Sequence, residues 1–146
     1  MTKAIVRVLA GAALLAAGYL AGRASGPEIA LEAAQNARVF ELRTYTTHDG
    51  KLPALQSRFR DHTVKIFTKH GMTNIGYWTP MDAPASQNTL IYVLAHSSRE
   101  AAKKSWDAFR ADPDWQKART ESEAAGPIVS KVESVFMNAT DYSPMK

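Results

Sequence analysis

The chain has 146 residues, which is room for one ordinary domain, and its 45% hydrophobic and 22% charged residues exclude a wholly disordered protein. Three of its 18 basic residues lie in the first 25 positions, where no acid is present, so the remainder carries 15 basic against 14 acidic side chains and no charge excess typical of nucleic-acid binding. The absence of cysteine excludes disulfides, thiolate zinc sites and a cysteine nucleophile.

The N-terminus resembles an export signal. Lys3 and Arg7 precede an uninterrupted apolar run of 15 residues from Val8 to Gly22, and small residues follow at the spacing that signal peptidase reads. The run is shorter than the roughly 20 residues that cross a bilayer, but an uncleaved membrane anchor is the alternative. Either way, the leading basic residues predict that the domain is exported, to the periplasm or the exterior, or is held on the non-cytoplasmic side.

The sequence therefore predicts three parts: a signal peptide or N-terminal membrane anchor over 1–24, a linker over 25–37 and one folded domain over 38–146. The linker is polar and alanine-rich, with an early Gly-Pro.

The domain opens with a predicted strand and a predicted helix. Arg38 to Thr46 alternates between two different faces, as a strand does. Leu52 to His70 carries apolar side chains at helical spacing, and Gly71 follows where a helix commonly ends.

Two more strands, two helices and a last strand are predicted after this helix. Met72 to Thr79 and Asn88 to His96 form a hairpin. Ser97 and Glu100 match a capping box that opens a helix ending at the Asp112-Pro113 pair. A shorter helix then runs toward Gly126, and the last strand covers 131–138.

The order of elements is βαββαβ, so we predict an α+β fold of the ferredoxin-like type, with helices on one face of an antiparallel sheet. Nothing in the chain covers the other face, where we expect aromatic side chains such as Tyr45 and either Trp78 or Tyr92. A second copy packed there would bury both faces, so a homodimer is expected.

Several segments carry a family resemblance: ELRTY, RFRDHT, KHGM, IGYW, LIYVLAH and above all SWDAFRADPDWQKARTESEAAGPIV. In this order they resemble the NIPSNAP family over residues 38–146. The resemblance implies a dimeric α/β barrel, in which two ferredoxin-like units place their sheets face to face around a central cavity. The leader is outside the resemblance.

Glu41, Arg43 and Tyr45 form the best candidate patch. In the implied barrel they alternate onto the inward face of the first strand, where Arg43 offers a planar fork for a carboxylate or carbonyl. An internal ion pair that fixes the barrel or the dimer is the alternative interpretation.

His62, Trp78 and Tyr92 complete the predicted cavity lining. His62 lies on the packed side of the first helix, so it is either a core histidine or a base or haem ligand, as in some other dimeric α/β barrels. No histidine or carboxylate pair has metal-binding spacing, so neither a metal site nor a cofactor is predicted.

Two functions follow from these observations. The first is a non-catalytic dimeric module that binds a small apolar ligand or a protein partner outside the cytoplasm, with membrane contact only through an uncleaved N-terminus. The alternative is an enzyme like the cofactor-independent monooxygenases or haem-binding members of the barrel type, with Glu41, Arg43, Tyr45 and His62 as the candidate catalytic residues.

Overall fold

The computed structural model describes residues 38–146; the predicted signal peptide or anchor and the linker lie outside them. Four strands, four α-helices and two short helical turns follow one another in the order β1 (Val39–Thr47), α1 (Leu52–Arg58), a π-helical turn (Phe59–Thr63), α2 (Val64–Lys69), β2 (Thr73–Trp78), a 3₁₀ turn (Ala85–Gln87), β3 (Thr89–His96), α3 (Arg99–Ala111), α4 (Pro113–Ser122) and β4 (Val129–Asn138). Across this part of the chain, no helix combines the length and apolar character needed to cross a membrane.

The strands form one antiparallel sheet in the order β2-β3-β1-β4. This confirms the predicted α+β class and the antiparallel ferredoxin-like sheet. The pairing register places Glu41 opposite Leu94 on β3 and Phe136 on β4. Because paired residues point to the same face, every second residue of β1 shares a face with these neighbours.

The core lies between the helices and one face of the sheet and is strongly aromatic. Phe67 contacts Tyr92, Trp106 and Phe109, with ring centroids 4.9 to 5.9 Å apart. Tyr92 and Phe67 are almost completely buried. Each such side chain contributes on the order of 1.5 to 3 kcal/mol through burial, so this cluster holds the helix layer on the sheet.

Tyr45, which was expected on the uncovered face, packs against this core, so that expectation was wrong; of the alternatives Trp78 and Tyr92, Tyr92 is in the core. Tyr45 contacts Phe59 at 5.9 Å and Tyr92 at 5.3 Å, beneath the helices. Alternation alone shows that two faces differ, not which of them the helices cover. Trp78 does lie on the uncovered face, paired with Ile91.

The uncovered face is apolar. Phe40, Leu42, Val93, Val135 and Met137 share it, and Val135 is 54% exposed. A surface of this kind on a soluble domain is unusual unless another molecule covers it.

The first helix is not continuous. A π-helical turn at Phe59–Thr63 divides it, with the Thr63 hydroxyl donating to the Arg58 carbonyl at 3.1 Å. Because the turn inserts an extra residue, it rotates the segment that follows. α2 ends at Lys69, and Gly71 has a φ of +76°, a left-handed conformation that favours glycine.

Two helix starts depend on side-chain caps. The cap of α3 is Ser98, one residue later than the predicted Ser97, and its Oγ accepts from the Ala101 amide at 3.0 Å. Asp112 caps α4, accepting from the Asp114 amide at 2.8 Å, and Pro113 follows at the first helical position.

Asp112 is also buried against the end of α2. Its Oδ2 lies 2.8 Å from Lys69 Nζ and 2.6 Å from His70 Nε2. Hydrogen bonds from Lys69 and His70 hold the pKa of Asp112 well below its usual range. The carboxylate therefore joins three helices at their ends.

Candidate functional site

A groove runs along the helix-facing side of β4, which we call the helix-side groove. β4 is at the sheet edge, and its helix-side residues Val132 and Ser134 are exposed. α3 and α4 form the opposite wall. The groove has two lobes, of about 540 and about 350 Å³, which share Arg43, Trp106 and Arg110.

The two lobes differ in chemistry. The first lies between α3 and the end of β4, and Glu41, Arg99 and Phe136 line it. The second, under α4, has seven aromatic or apolar side chains among twelve, Phe109 and Trp115 included, together with four arginines and Glu123. Volumes of this size are within the range of pockets that hold small molecules.

Glu41 is at the bottom of the first lobe and accepts four hydrogen bonds. Oε1 accepts from Arg43 Nη1 at 2.7 Å and from Ser134 Oγ at 2.6 Å. Oε2 accepts from Trp106 Nε1 at 2.7 Å, and His96 Nε2 lies 3.1 Å away in position to donate. Only 1% of Glu41 is exposed. Side chains from β3, β4 and α3 therefore converge on one β1 carboxylate.

These contacts fix the ionisation of Glu41. Burial alone would raise its pKa, but the hydrogen bonds from His96, Ser134, Trp106 and Arg43 lower the pKa to about 2. A carboxylate with four donors remains ionised at neutral pH. It is therefore suited to holding its partners in place and poorly suited to accepting a proton.

Arg43 is held between aromatic rings. Its guanidinium carbon lies 4.2 Å from the Trp106 ring centre and 5.5 Å from that of Tyr45. The side chain is 15% exposed, and within residues 38–146 its Nε has no hydrogen-bond partner. Cation–π contacts and the ion pair with Glu41 thus fix Arg43 where it borders both lobes.

The rim of the first lobe has an excess of positive charge. The guanidinium carbon of Arg99 lies over the Phe136 ring, 4.1 Å from its centre, and Arg99 forms no ion pair within the described residues. Lys103 and Arg110 both contact the single carboxylate of Asp107. Around the whole groove, six basic and three acidic side chains line the walls.

The structure separates the predicted site residues into groups. Glu41, Arg43 and Tyr45 lie together at the groove, on the helix side of the sheet; the prediction that they face inward in a barrel made by two uncovered sheet faces was wrong. Tyr92 is beneath them in the core. The choice of face depends on helix packing, which the alternation does not encode.

The other two predicted residues are elsewhere. His62 lies in the π-helical turn, half-buried in a shallow depression that Asp61 and Ala118 also line, away from the groove. Trp78 is 52% exposed at the edge of the uncovered face, with its ring over Gly76. A Cβ on Gly76 would be 2.5 Å from that ring, so this stacking requires glycine.

Sequence reasoning missed three partners of Glu41: His96, Trp106 and Ser134. His96 could have been found, because it alternates in phase with Tyr92 along β3. Nothing in the local pattern marks Trp106 or Ser134 as a partner of Glu41. In residues 38–146 no group of three His, Asp or Glu side chains could hold a metal ion.

The fold and the buried charge cluster define a ferredoxin-like α+β domain with a groove between its helices and an edge strand. The family model of NIPSNAP matches residues 40–144, and the chain belongs to the NIPSNAP family. A search of curated protein sequences finds no match to this chain.

Solved structures share the fold. A NIPSNAP family protein of unknown function from Agrobacterium tumefaciens is 22% identical with a TM-score of 0.65, covering 76% of this chain and 96% of that one. A NIPSNAP domain protein from Burkholderia xenovorans is 24% identical with a TM-score of 0.62, covering 73% and 98%. The matched residues thus correspond to nearly whole proteins that fold by themselves.

A more distant structure is SnoaB, a cofactor-independent oxygenase from Streptomyces nogalater. It is 16% identical with a TM-score of 0.50, covering 74% of this chain and 98% of that one. At this identity the likeness shows the fold alone.

Proposed function

We propose that this domain is a non-catalytic module that binds a small molecule in the helix-side groove. The observation that carries the proposal is the convergence of four donors on Glu41 beneath an open lobe of about 540 Å³. Hydrogen bonds to both oxygens of a buried carboxylate hold its donors in one arrangement of side chains. Here that arrangement fixes Arg43 and Trp106 at the junction of the two lobes, so the groove is preorganised.

The groove also has the composition of a ligand site. Tyr45, Trp115, Val129 and Val132 give the second lobe apolar surface, and Arg58 and Arg119 of that lobe both pair with Glu123. Small-molecule sites commonly combine a mostly apolar lining with a few fixed polar groups.

The enzymatic alternative receives less support from the same geometry. An enzyme that takes a proton from its substrate needs a base, and Glu41 and His62 are the two bases among the predicted catalytic residues. Glu41 has a pKa of about 2, which makes it a weak base at neutral pH. His62, the other candidate, is outside the groove.

In this proposal a second copy covers the apolar uncovered face, including Leu42 and Val135, and the dimer leaves the helix-side groove free. The N-terminal segment exports the domain or tethers it on the non-cytoplasmic side of a membrane. A protein partner, if there is one, would contact the groove rim or the helices.

The test compares two valines of β4 that point to opposite faces. Val132→Lys places a charge in the second lobe, whereas Val135→Lys places it on the uncovered face. Residues 37–146 are purified from cells and examined by native mass spectrometry, alone and with a panel of small molecules.

We expect a bound small molecule in the unmodified protein and in Val135→Lys, and its loss in Val132→Lys. The same adduct in all three proteins would contradict binding in the groove. No adduct with any compound of the panel would contradict a ligand-binding function.

A further inference from the structure

Resting on the proposed function, we infer that the ligand is an elongated amphipathic carboxylate that binds with its acid group at Arg99 and its apolar body along the second lobe. This assigns opposite roles to the two ends of one groove. Three observations support it: the distribution of charge in the first lobe, the apolar surface of the second lobe, and the distance between the two lobes.

Charge determines which end takes the acid group. Arg99 is the basic residue of the first lobe without an acidic partner among residues 38–146. Arg43 is neutralised by Glu41, and Arg110 and Lys103 share one carboxylate. An anion at Arg99 would therefore satisfy the charge that the protein itself leaves uncompensated.

The geometry of Arg99 favours a planar monoanion. With its guanidinium face on Phe136, its edge donors are free to bind both oxygens of a carboxylate. Glu41 and Glu100 also line this lobe, and their negative charges oppose a second charge on the ligand. A carboxylate therefore fits better than a phosphate dianion.

The second lobe fits an apolar body. Phe109, Trp115, Val129 and Val132 form its apolar surface, and the indole of Trp106 continues that surface toward the first lobe. Arg58 and Arg119 line the same lobe, but both pair with Glu123. Along β4, Val129 and Phe136 are seven residues apart, which corresponds to about 23 Å of strand. A compact acid would contact only one lobe of the groove, whereas an elongated molecule can contact both.

The experiment measures the binding of three 12-carbon probes to residues 37–146 by isothermal titration calorimetry, below the concentrations at which the probes form micelles. Dodecanoate, dodecanol and dodecyltrimethylammonium share the alkyl body and differ in the charge of the head. We expect dodecanoate to bind at least about ten-fold more tightly than dodecanol, because hydrogen bonds to charged groups are strong, and we expect no binding of the cation.

Two variants of α3 locate the head group. Arg99→Gln should weaken dodecanoate binding by about ten-fold and leave dodecanol unchanged. Lys104→Gln, which removes one exposed positive charge from the same helix outside the groove, should leave both unchanged. Equal losses in the two variants would mean a general charge effect and overturn the role of Arg99.

The remaining outcomes separate this inference from the proposed function. Equal binding of dodecanoate and dodecanol, both abolished by Val132→Lys, would overturn the carboxylate while the groove remains a binding site. If none of the three probes binds, the inference that the ligand is an elongated amphipathic molecule is overturned. If the small molecule that copurifies with the protein is nevertheless lost in Val132→Lys, the groove still binds a ligand, but that ligand is not an amphipathic carboxylate.

Discussion

Replacing Glu41 with Gln should destabilise the domain far more than this nearly isosteric change suggests. The amide has one acceptor oxygen where the carboxylate had two, and its NH₂ group would face donors. Either Arg43 and Ser134, which donate to Oε1, or Trp106 and His96, which donate to Oε2, would lose their acceptor. Arg43 would also lose its buried counter-charge.

The expected loss is about 3 kcal/mol. Removing one partner of a buried ion pair costs roughly 3 to 5 kcal/mol, and the 15% exposure of Arg43 places this case at the lower end. The pKa of Glu41 gives a similar figure, because a fall from 4.5 to about 2 corresponds to about 3 kcal/mol at about 1.4 kcal/mol per unit.

This stabilisation has a defined pH dependence. The folded-state pKa of Glu41 is lower than its unfolded value, so the stabilisation is complete above pH 4.5 and is lost as the pH falls toward about 2. Glu41→Gln lacks this ionisation. The difference in unfolding free energy between the two proteins should therefore shrink from pH 6 to pH 3.

Urea denaturation at one fixed protein concentration measures the difference, because a dimer would make the stability depend on concentration. Glu121→Gln is the control, since Glu121 is 58% exposed on α4 and pairs only with Lys117 among residues 38–146, and it should change stability by less than about 0.5 kcal/mol. A loss below about 1 kcal/mol in Glu41→Gln, or a difference that does not depend on pH, would refute the reasoning.

Three further predictions concern the core, the uncovered face and the helix junction. Trp106→Phe keeps an aromatic side chain but removes the indole N–H that donates to Glu41, so urea denaturation should show a loss of about 1 to 3 kcal/mol in the free energy of unfolding. The indole N–H of Trp115 makes no hydrogen bond within residues 38–146, so Trp115→Phe should lose less stability. Equal losses would contradict the role of the donor. Val135→Lys should convert a dimer into a monomer by light scattering, and Val132→Lys should not; a dimer in both would exclude the uncovered face as the interface. Asp112→Ala should lower the melting temperature more than Asp112→Asn, which retains a cap for α4; equal melting temperatures would show that the cap contributes nothing.

Much of the fold could be predicted because it depends on local patterns. Alternation identified β1, two runs joined by a turn-rich segment identified the β2–β3 hairpin, and Gly71 and the Asp112-Pro113 pair marked helix ends. The π-helical turn at Phe59–Thr63 could not be predicted, since its apolar spacing is compatible with a regular helix. Ser97 and Ser98 are adjacent candidates for one cap, and only the backbone conformation selected Ser98.

The site could be predicted in part. Glu41, Arg43 and Tyr45 were recognised as a patch because charged and hydroxyl side chains alternate within a strand that also carries apolar residues. Alternation along β3 places His96 on the same face as Tyr92, but the pattern does not show that His96, Trp106 and Ser134 contact Glu41, because they are 55 to 93 residues away along the chain. Contacts over such separations depend on strand order and helix packing.

The sequence by itself determined the class of fold, the family resemblance and the existence of two chemically different faces on β1, because these follow from periodicity and ordered motifs. Only the tertiary structure decided which face the helices cover. Because the helices cover the face that carries them, Tyr45 and Tyr92 pack in the core, and Glu41 and Arg43 lie at a groove beside α3. The physical reason is that burial is a property of all packed elements together, whereas alternation along one strand is local.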